Sequence, residues 1–79
     1  MATVRFFAGA AEAAATDGAA VDVGSIGALR TELVRLYGPE FARVLGLCSL
    51  LVNGARAADD AVPLSATDSV DVLPPFAGG

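Results

Sequence analysis

The chain of 79 residues contains no histidine, no lysine and only one cysteine. Without histidine it cannot build the Ser-His or Cys-His pairs of nucleophilic catalysis, or a histidine metal site. The single thiol, Cys48, can form neither an internal disulfide nor a thiolate metal site, and we expect a small, half-buried strand residue in a reducing compartment. Without lysine, the chain cannot accept an isopeptide bond on a side chain. We therefore expect no metal site and no catalytic apparatus in this chain.

Positive charge is also scarce, since nine acidic residues outnumber five arginines and the formal net charge is −4. Binding to a phosphate backbone needs clusters of Lys or Arg, so we expect no nucleic-acid partner. No apolar run reaches membrane-spanning length, and no basic stretch followed by an apolar core opens the sequence. The expectation is a cytoplasmic protein without a membrane partner.

Four segments have residue patterns typical of β-strands: residues 3–8, 20–23, 49–52 and 70–73. Asn53-Gly54 is a strong type I′ turn signal, which returns the chain through residues 55–57 as a short hairpin. The alanine-rich segment 9–18 lies between two strand patterns, and we predict a hairpin connection there rather than a helix.

The main helix is predicted over residues 25–37, because Ser25 suits the N-cap position and Ile26, Leu29, Leu33 and Leu36 recur at helical spacing. Gly38-Pro39 should end it, and a short second helical turn is predicted over residues 39–45. One main helix crossing a mixed four- to five-stranded sheet is the ubiquitin-like β-grasp arrangement. This is an α+β fold in which the first and last strands lie side by side.

The remaining residues are predicted to form an extended C-terminal tail, 74–79, attached to a β-grasp domain of residues 1–73. The tail consists of Pro74, Pro75, Phe76, Ala77, Gly78 and Gly79. Proline fixes φ and cannot donate to a sheet ladder, so the last strand should end near Leu73. Glycine has no Cβ, which would let a narrow channel in another protein close around Gly78 and Gly79. Many chain ends are merely frayed, so the preceding residues must decide the function.

Five motifs carry a resemblance: Val4 to Ala8, Val52-Asn53-Gly54, Pro63-Leu64, Asp68-Ser69-Val70 and above all Leu73 to Gly79. Together they resemble the small subunit of molybdopterin synthase (MoaD), in the MoaD/ThiS family of ubiquitin-like sulfur carriers. The resemblance covers nearly the whole chain, and the tail is its specific part.

This resemblance implies a sulfur carrier of molybdenum cofactor biosynthesis. An E1-like, ATP-dependent enzyme would adenylate the Gly79 carboxylate, sulfur would replace the adenylate to give a thiocarboxylate, and the large synthase subunit would pass that sulfur to cyclic pyranopterin monophosphate. An α-carboxylate has a pKa of about 3.5, and as an anion it resists nucleophilic attack until adenylation supplies a leaving group. The chain would bind no cofactor and would not be an enzyme on its own, and family analogy suggests a heterotetramer with the large subunit.

The strand alternation predicts a docking patch at the root of the tail. Side chains alternate between the two faces of a strand, so if Val4 is buried, Phe7 should be exposed. In the same way, if Val72 is buried, Leu73 should be exposed. Exposed apolar residues that lie side by side are typical of a partner-binding surface, whereas scattered ones are common and carry no function. The predicted patch consists of Phe7, Leu73, Phe76 and, if its strand has the matching register, Leu51.

Three other interpretations stay open. The chain could be a sulfur carrier for thiamine or cysteine synthesis, which shares the Gly-Gly end but usually lacks the Pro-Pro element. It could be a ubiquitin-like modifier that forms isopeptide bonds through Gly79. It could also be a β-grasp interaction module whose terminus takes part in no chemistry.

Overall fold

A computed structural model describes residues 1–75, in which five strands form one mixed sheet. The strands are β1 (Ala2–Phe6), β2 (Gly18–Val21), β3 (Ser49–Val52), β4 (Ala55–Arg56) and β5 (Ser69–Leu73). Their order across the sheet is β2-β1-β5-β3-β4. The first and last strands pair in parallel in the centre, and the other neighbours are antiparallel. The ubiquitin-like β-grasp prediction is therefore confirmed.

The helix predicted over residues 25–37 is confirmed as α2 (Ile26–Tyr37). Its N-cap is Ser25, whose side-chain oxygen accepts a hydrogen bond of 3.1 Å from the backbone N–H of Ala28. Gly38 follows with a φ of 91°, a conformation that favours glycine. The chain then enters the second predicted helix, α3 (Pro39–Leu45).

The hairpin predicted for segment 9–18 is wrong, because residues Ala8–Ala14 form a further helix, α1. Alanine has the highest helix propensity of all residues, and Ala10 and Ala14, one helical turn apart, bury their methyl groups in the core. After α1, strand β2 begins at Gly18, two residues earlier than predicted. A Cβ at Gly18 would lie only 2.8 Å from the carbonyl oxygen of Val4, so glycine permits this close approach to β1.

The core lies on one face of the sheet and is anchored by three aromatic rings. Phe6 of β1 lies 5.5 Å from the rings of both Tyr37 and Phe41, measured between centroids, and both contacts are edge-on. Phe41 is completely buried. Because Tyr37 turns towards these rings, Leu36 lies about 100° away around the helix and points outwards. The helical spacing of Ile26, Leu29, Leu33 and Leu36 predicts that all four are buried in one stripe, and this prediction is wrong for Leu36, since 45% of it is exposed.

The Asn53-Gly54 turn is confirmed, with φ angles of 50° and 86°, and side chains fasten it to the start of β5. The Asn53 amide donates to Asp68 Oδ1 at 2.9 Å, and its side-chain oxygen accepts from the backbone N–H of Ser69 at 2.9 Å. Asp68 Oδ2 accepts from the backbone N–H of Ser65 at 2.8 Å. The Ser65 N–H, followed by the Asn53 amide, holds the pKa of Asp68 below its ordinary value.

We predict that Phe41→Ala destabilises the protein by about 3–5 kcal/mol, because it leaves a cavity among the three rings. That loss is a large share of the roughly 5–15 kcal/mol that small domains possess. Urea denaturation measures it, and Leu47→Ala, at a residue that is 62% exposed, is the control. Leu47→Ala should change the free energy of unfolding by less than about 0.5 kcal/mol. Equal losses in both variants would contradict the assigned core.

We predict that Asp68→Asn lowers the urea midpoint at pH 7 and that this difference shrinks in acid. The folded-state pKa of Asp68 lies below the ordinary 3.8, so the carboxylate stabilises the fold above that pH. The contribution disappears as the pH falls through the lower, folded-state pKa. Asp22→Asn, which removes an exposed carboxylate, is the matched control at pH 7. A difference between wild type and Asp68→Asn that stays constant from pH 7 to pH 2 would refute the role of Asp68.

Candidate functional site

The candidate site is the outer face of the sheet, opposite the core. Along β1, Ala2, Val4 and Phe6 are buried, whereas Thr3 and Arg5 are exposed. The same alternation in β5 buries Val70 and Val72 and leaves Ser69, Asp71 and Leu73 half-buried. The outer face is thus formed by the residues of opposite parity to the core.

Rows of side chains cross this face, because residues that are directly opposite in neighbouring strands lie on the same side of a sheet, and two of these rows lie towards the end of β5. The first, which we call the charged row, consists of Arg5, Asp71, Leu51 and Arg56. The second, which we call the root row, consists of Phe7, Leu73 and Ser49.

Phe7 enters the root row by continuing the pairing of β1 with β5. Phe6 is opposite Val72, and the backbone N–H of Phe7 donates to the carbonyl of Val72 at 3.2 Å. This places Phe7 beside Leu73, and both are half-buried. The structure thus brings together two of the four residues predicted for the docking patch. Leu51 lies on the same face in the adjacent charged row.

An ion pair that the sequence interpretation missed lies next to the root row. Arg5 Nε donates to Asp71 Oδ1 at 2.9 Å, and Arg5 Nη2 donates to Asp71 Oδ2 at 3.3 Å. This hydrogen bonding and the charge of Asp71 raise the pKa of Arg5 above its ordinary value. The guanidinium carbon of Arg5 also lies 5.4 Å from the centre of the Phe7 ring, within cation–π range. The outer face is therefore a mixed surface, with a charged pair held against an aromatic ring.

The predicted tail is described only at its beginning. Strand β5 ends at Leu73, Pro74 is half-buried and Pro75 is exposed. Phe76, Ala77, Gly78 and Gly79 lie outside the described residues. The roles predicted for them, and the docking role predicted for Phe7, Leu73 and Leu51, stay predictions.

Cys48 is half-buried just before β3, and its thiol donates to the carbonyl of Val44 at 3.2 Å. Burial raises the pKa of this thiol, which keeps it protonated at neutral pH. Within residues 1–75, no three His, Cys, Asp or Glu side chains are grouped so that they could hold a metal ion, and no pocket is found. None of the helices in this part of the chain is long and apolar enough to cross a membrane.

Comparison with solved structures identifies the fold. Small archaeal modifier protein 1 (SAMP1) from Haloferax volcanii is 29% identical, with a TM-score of 0.82 over 99% of this chain and 98% of that one. The complex of subunits 1 and 2 of molybdopterin-converting factor from Helicobacter pylori contains a chain that is 24% identical, with a TM-score of 0.76 over 99% and 97%. The chain has the ubiquitin-like β-grasp fold that these two structures share.

A third similar structure is the putative molybdopterin converting factor subunit 1 from Pyrococcus furiosus. It is 20% identical, with a TM-score of 0.83 over 95% of this chain and 97% of that one. No protein-family model matches the chain, and no curated protein matches it significantly. The similarity is thus one of fold over nearly the whole chain, to molybdopterin-converting subunits and to an archaeal modifier.

Proposed function

We propose that this chain is a sulfur carrier of molybdenum cofactor biosynthesis, with the Gly79 carboxylate as its carried substrate. The observation that carries the proposal is the position of the root row. Phe7 and Leu73 lie side by side on the outer face, where β5 ends and Pro74-Pro75 begins. A partner that binds this row would be adjacent to the start of the tail.

The proposed chemistry takes place in partner proteins. In the adenylating enzyme, a Gly79 carboxylate oxygen attacks the α-phosphorus of ATP and displaces pyrophosphate. A sulfide sulfur then attacks the acyl carbon, the bond to AMP breaks and AMP leaves, and the product is a thiocarboxylate. In the large synthase subunit, that sulfur is transferred to cyclic pyranopterin monophosphate. ATP and the catalytic residues belong to these partners, so the chain is a sulfur-donating subunit and not an enzyme on its own.

A ubiquitin-like modifier is the second candidate, and the similarity to the Haloferax volcanii modifier supports it. Both functions begin with the same acyl-adenylate. They differ in the acceptor, because a modifier gives its glycine carbonyl to a lysine amine, whereas a sulfur carrier gives up sulfur and recovers its carboxylate. The absence of lysine in this chain allows it only the donor role in isopeptide formation.

We predict that deleting Gly79, or adding one residue after it, abolishes thiocarboxylate formation, because the reacting carboxylate is then displaced. The measurement is intact mass after incubation with the adenylating enzyme, ATP and a sulfur donor. One residue added before Met1, which is 66% exposed, is the matched control and should leave the yield unchanged. Sulfur incorporation into the untrimmed, C-terminally extended chain would refute the role of Gly79.

We predict that Phe7→Ala combined with Leu73→Ala weakens binding to the large synthase subunit by about tenfold or more, since buried apolar anchors carry much of the binding energy of an interface. Calorimetry or surface plasmon resonance measures the affinity, and circular dichroism confirms folding. The matched control is Leu36→Ala with Leu47→Ala, which removes two exposed leucines outside the two rows. Unchanged affinity in the Phe7/Leu73 variant, or equal losses in both, would reject the docking patch.

A further inference from the structure

The five arginines differ in how their charges are neutralised. Three of them form ion pairs away from the charged row, at nitrogen-to-oxygen distances of 2.5–3.1 Å: Arg30 with Asp60, Arg35 with Glu32 and Arg43 with Glu40. Arg5 binds both carboxylate oxygens of Asp71. Within residues 1–75, no carboxylate lies within 4.0 Å of Arg56, the remaining arginine.

The position of Arg56 on the sheet follows from the strand register. Arg56 is opposite Leu51, Leu51 is opposite Asp71, and Asp71 is opposite Arg5. With neighbouring strands about 4.8 Å apart, Arg5 and Arg56 lie at the two ends of a row about 14 Å wide. The root row is two residues further along the strands, a distance of about 7 Å.

The outer face has a charge balance opposite to that of the chain. The outward-facing residues of the strands include two arginines and one aspartate, whereas the chain has nine acids and five arginines. Because Asp71 is already bound by Arg5, the unneutralised charge on this face is the exposed guanidinium of Arg56. A local positive group on an acidic protein favours one orientation of approach towards a negatively charged surface.

We propose that Arg56 is a specificity-determining contact for a surface carboxylate of the adenylating enzyme that activates the tail. This inference rests on the proposed function, because it assumes that the outer face docks while the enzyme acts on Gly79. The adenylating enzyme is the occupant that the sulfur-carrier and modifier candidates have in common. Its carboxylate would lie beyond Leu51, about 10 Å across the strands and about 7 Å along them from Leu73 of the root row. Arginine suits this contact because its planar guanidinium binds a carboxylate with two parallel hydrogen bonds.

The test is an ATP–pyrophosphate exchange assay in which the concentration of this chain is varied against the adenylating enzyme. Arg56→Glu should raise KM by about tenfold or more and leave kcat unchanged, since docking contributes before chemistry. Arg56→Ala should give a smaller increase. The matched control, Arg43→Glu, makes the same charge change on helix α3 and should leave KM within about twofold. Added salt should reduce the difference in KM between Arg56→Glu and wild type.

The outcomes separate this inference from the proposed function. If the wild-type chain supports no exchange with the adenylating enzyme, the proposed function fails and the inference fails with it. If the wild type is active and Arg56→Glu changes KM no more than Arg43→Glu does, only the role of Arg56 is overturned. Any change in KM that the two variants share is then explained by the net charge of the chain. A fall in kcat without a change in KM also overturns it. A rise in KM confined to the Arg56 variants, with folding unchanged by circular dichroism, supports it.

Discussion

The parallel pairing of β1 with β5 is the constraint on which the other features depend. It brings Val4 and Phe6 beside Val70 and Val72 on the core face, and Arg5 beside Asp71 on the outer face. Because side chains alternate with a period of two, a slip of one residue would move the apolar set into solvent and the ion pair into the core. The same pairing places the end of the last strand, and hence the start of the tail, at the centre of the sheet.

One sheet thus serves stability on one face and, in our proposal, recognition on the other. On the inner face Phe6 contacts the rings of Tyr37 and Phe41, and the hydrogen bonds of Asn53 fasten the hairpin to β5. The outer residues are largely free of these packing demands. They can therefore differ in charge without loss of the core, which makes the charged row a suitable place for partner specificity.

The sequence predicts the elements whose signals are local. The Ser25 cap, the Asn53-Gly54 turn and the strand alternation each depend on a few adjacent residues, and all three are found in the structure. Helix α1 was missed because alanine gives no amphipathic pattern, although its helix propensity is high. The Arg5–Asp71 pair and the position of Arg56 depend on register, which joins residues up to 66 positions apart. In the alternating pattern of their strands, Arg5 and Asp71 both occupy positions that face outwards. This is the sequence signal from which the pair could have been predicted.

The central claim is that the Gly79 carboxylate carries sulfur, and the most direct measurement is the chemical state of that group in cells. The chain is isolated under thiol-free conditions from its own cells, and the intact protein and its C-terminal peptide are analysed by mass spectrometry. Our account predicts a population in which one carboxylate oxygen is replaced by sulfur, with no covalently attached protein. Finding Gly79 joined to lysine amines of other proteins, with no thiocarboxylate, would contradict the account and establish the modifier function instead.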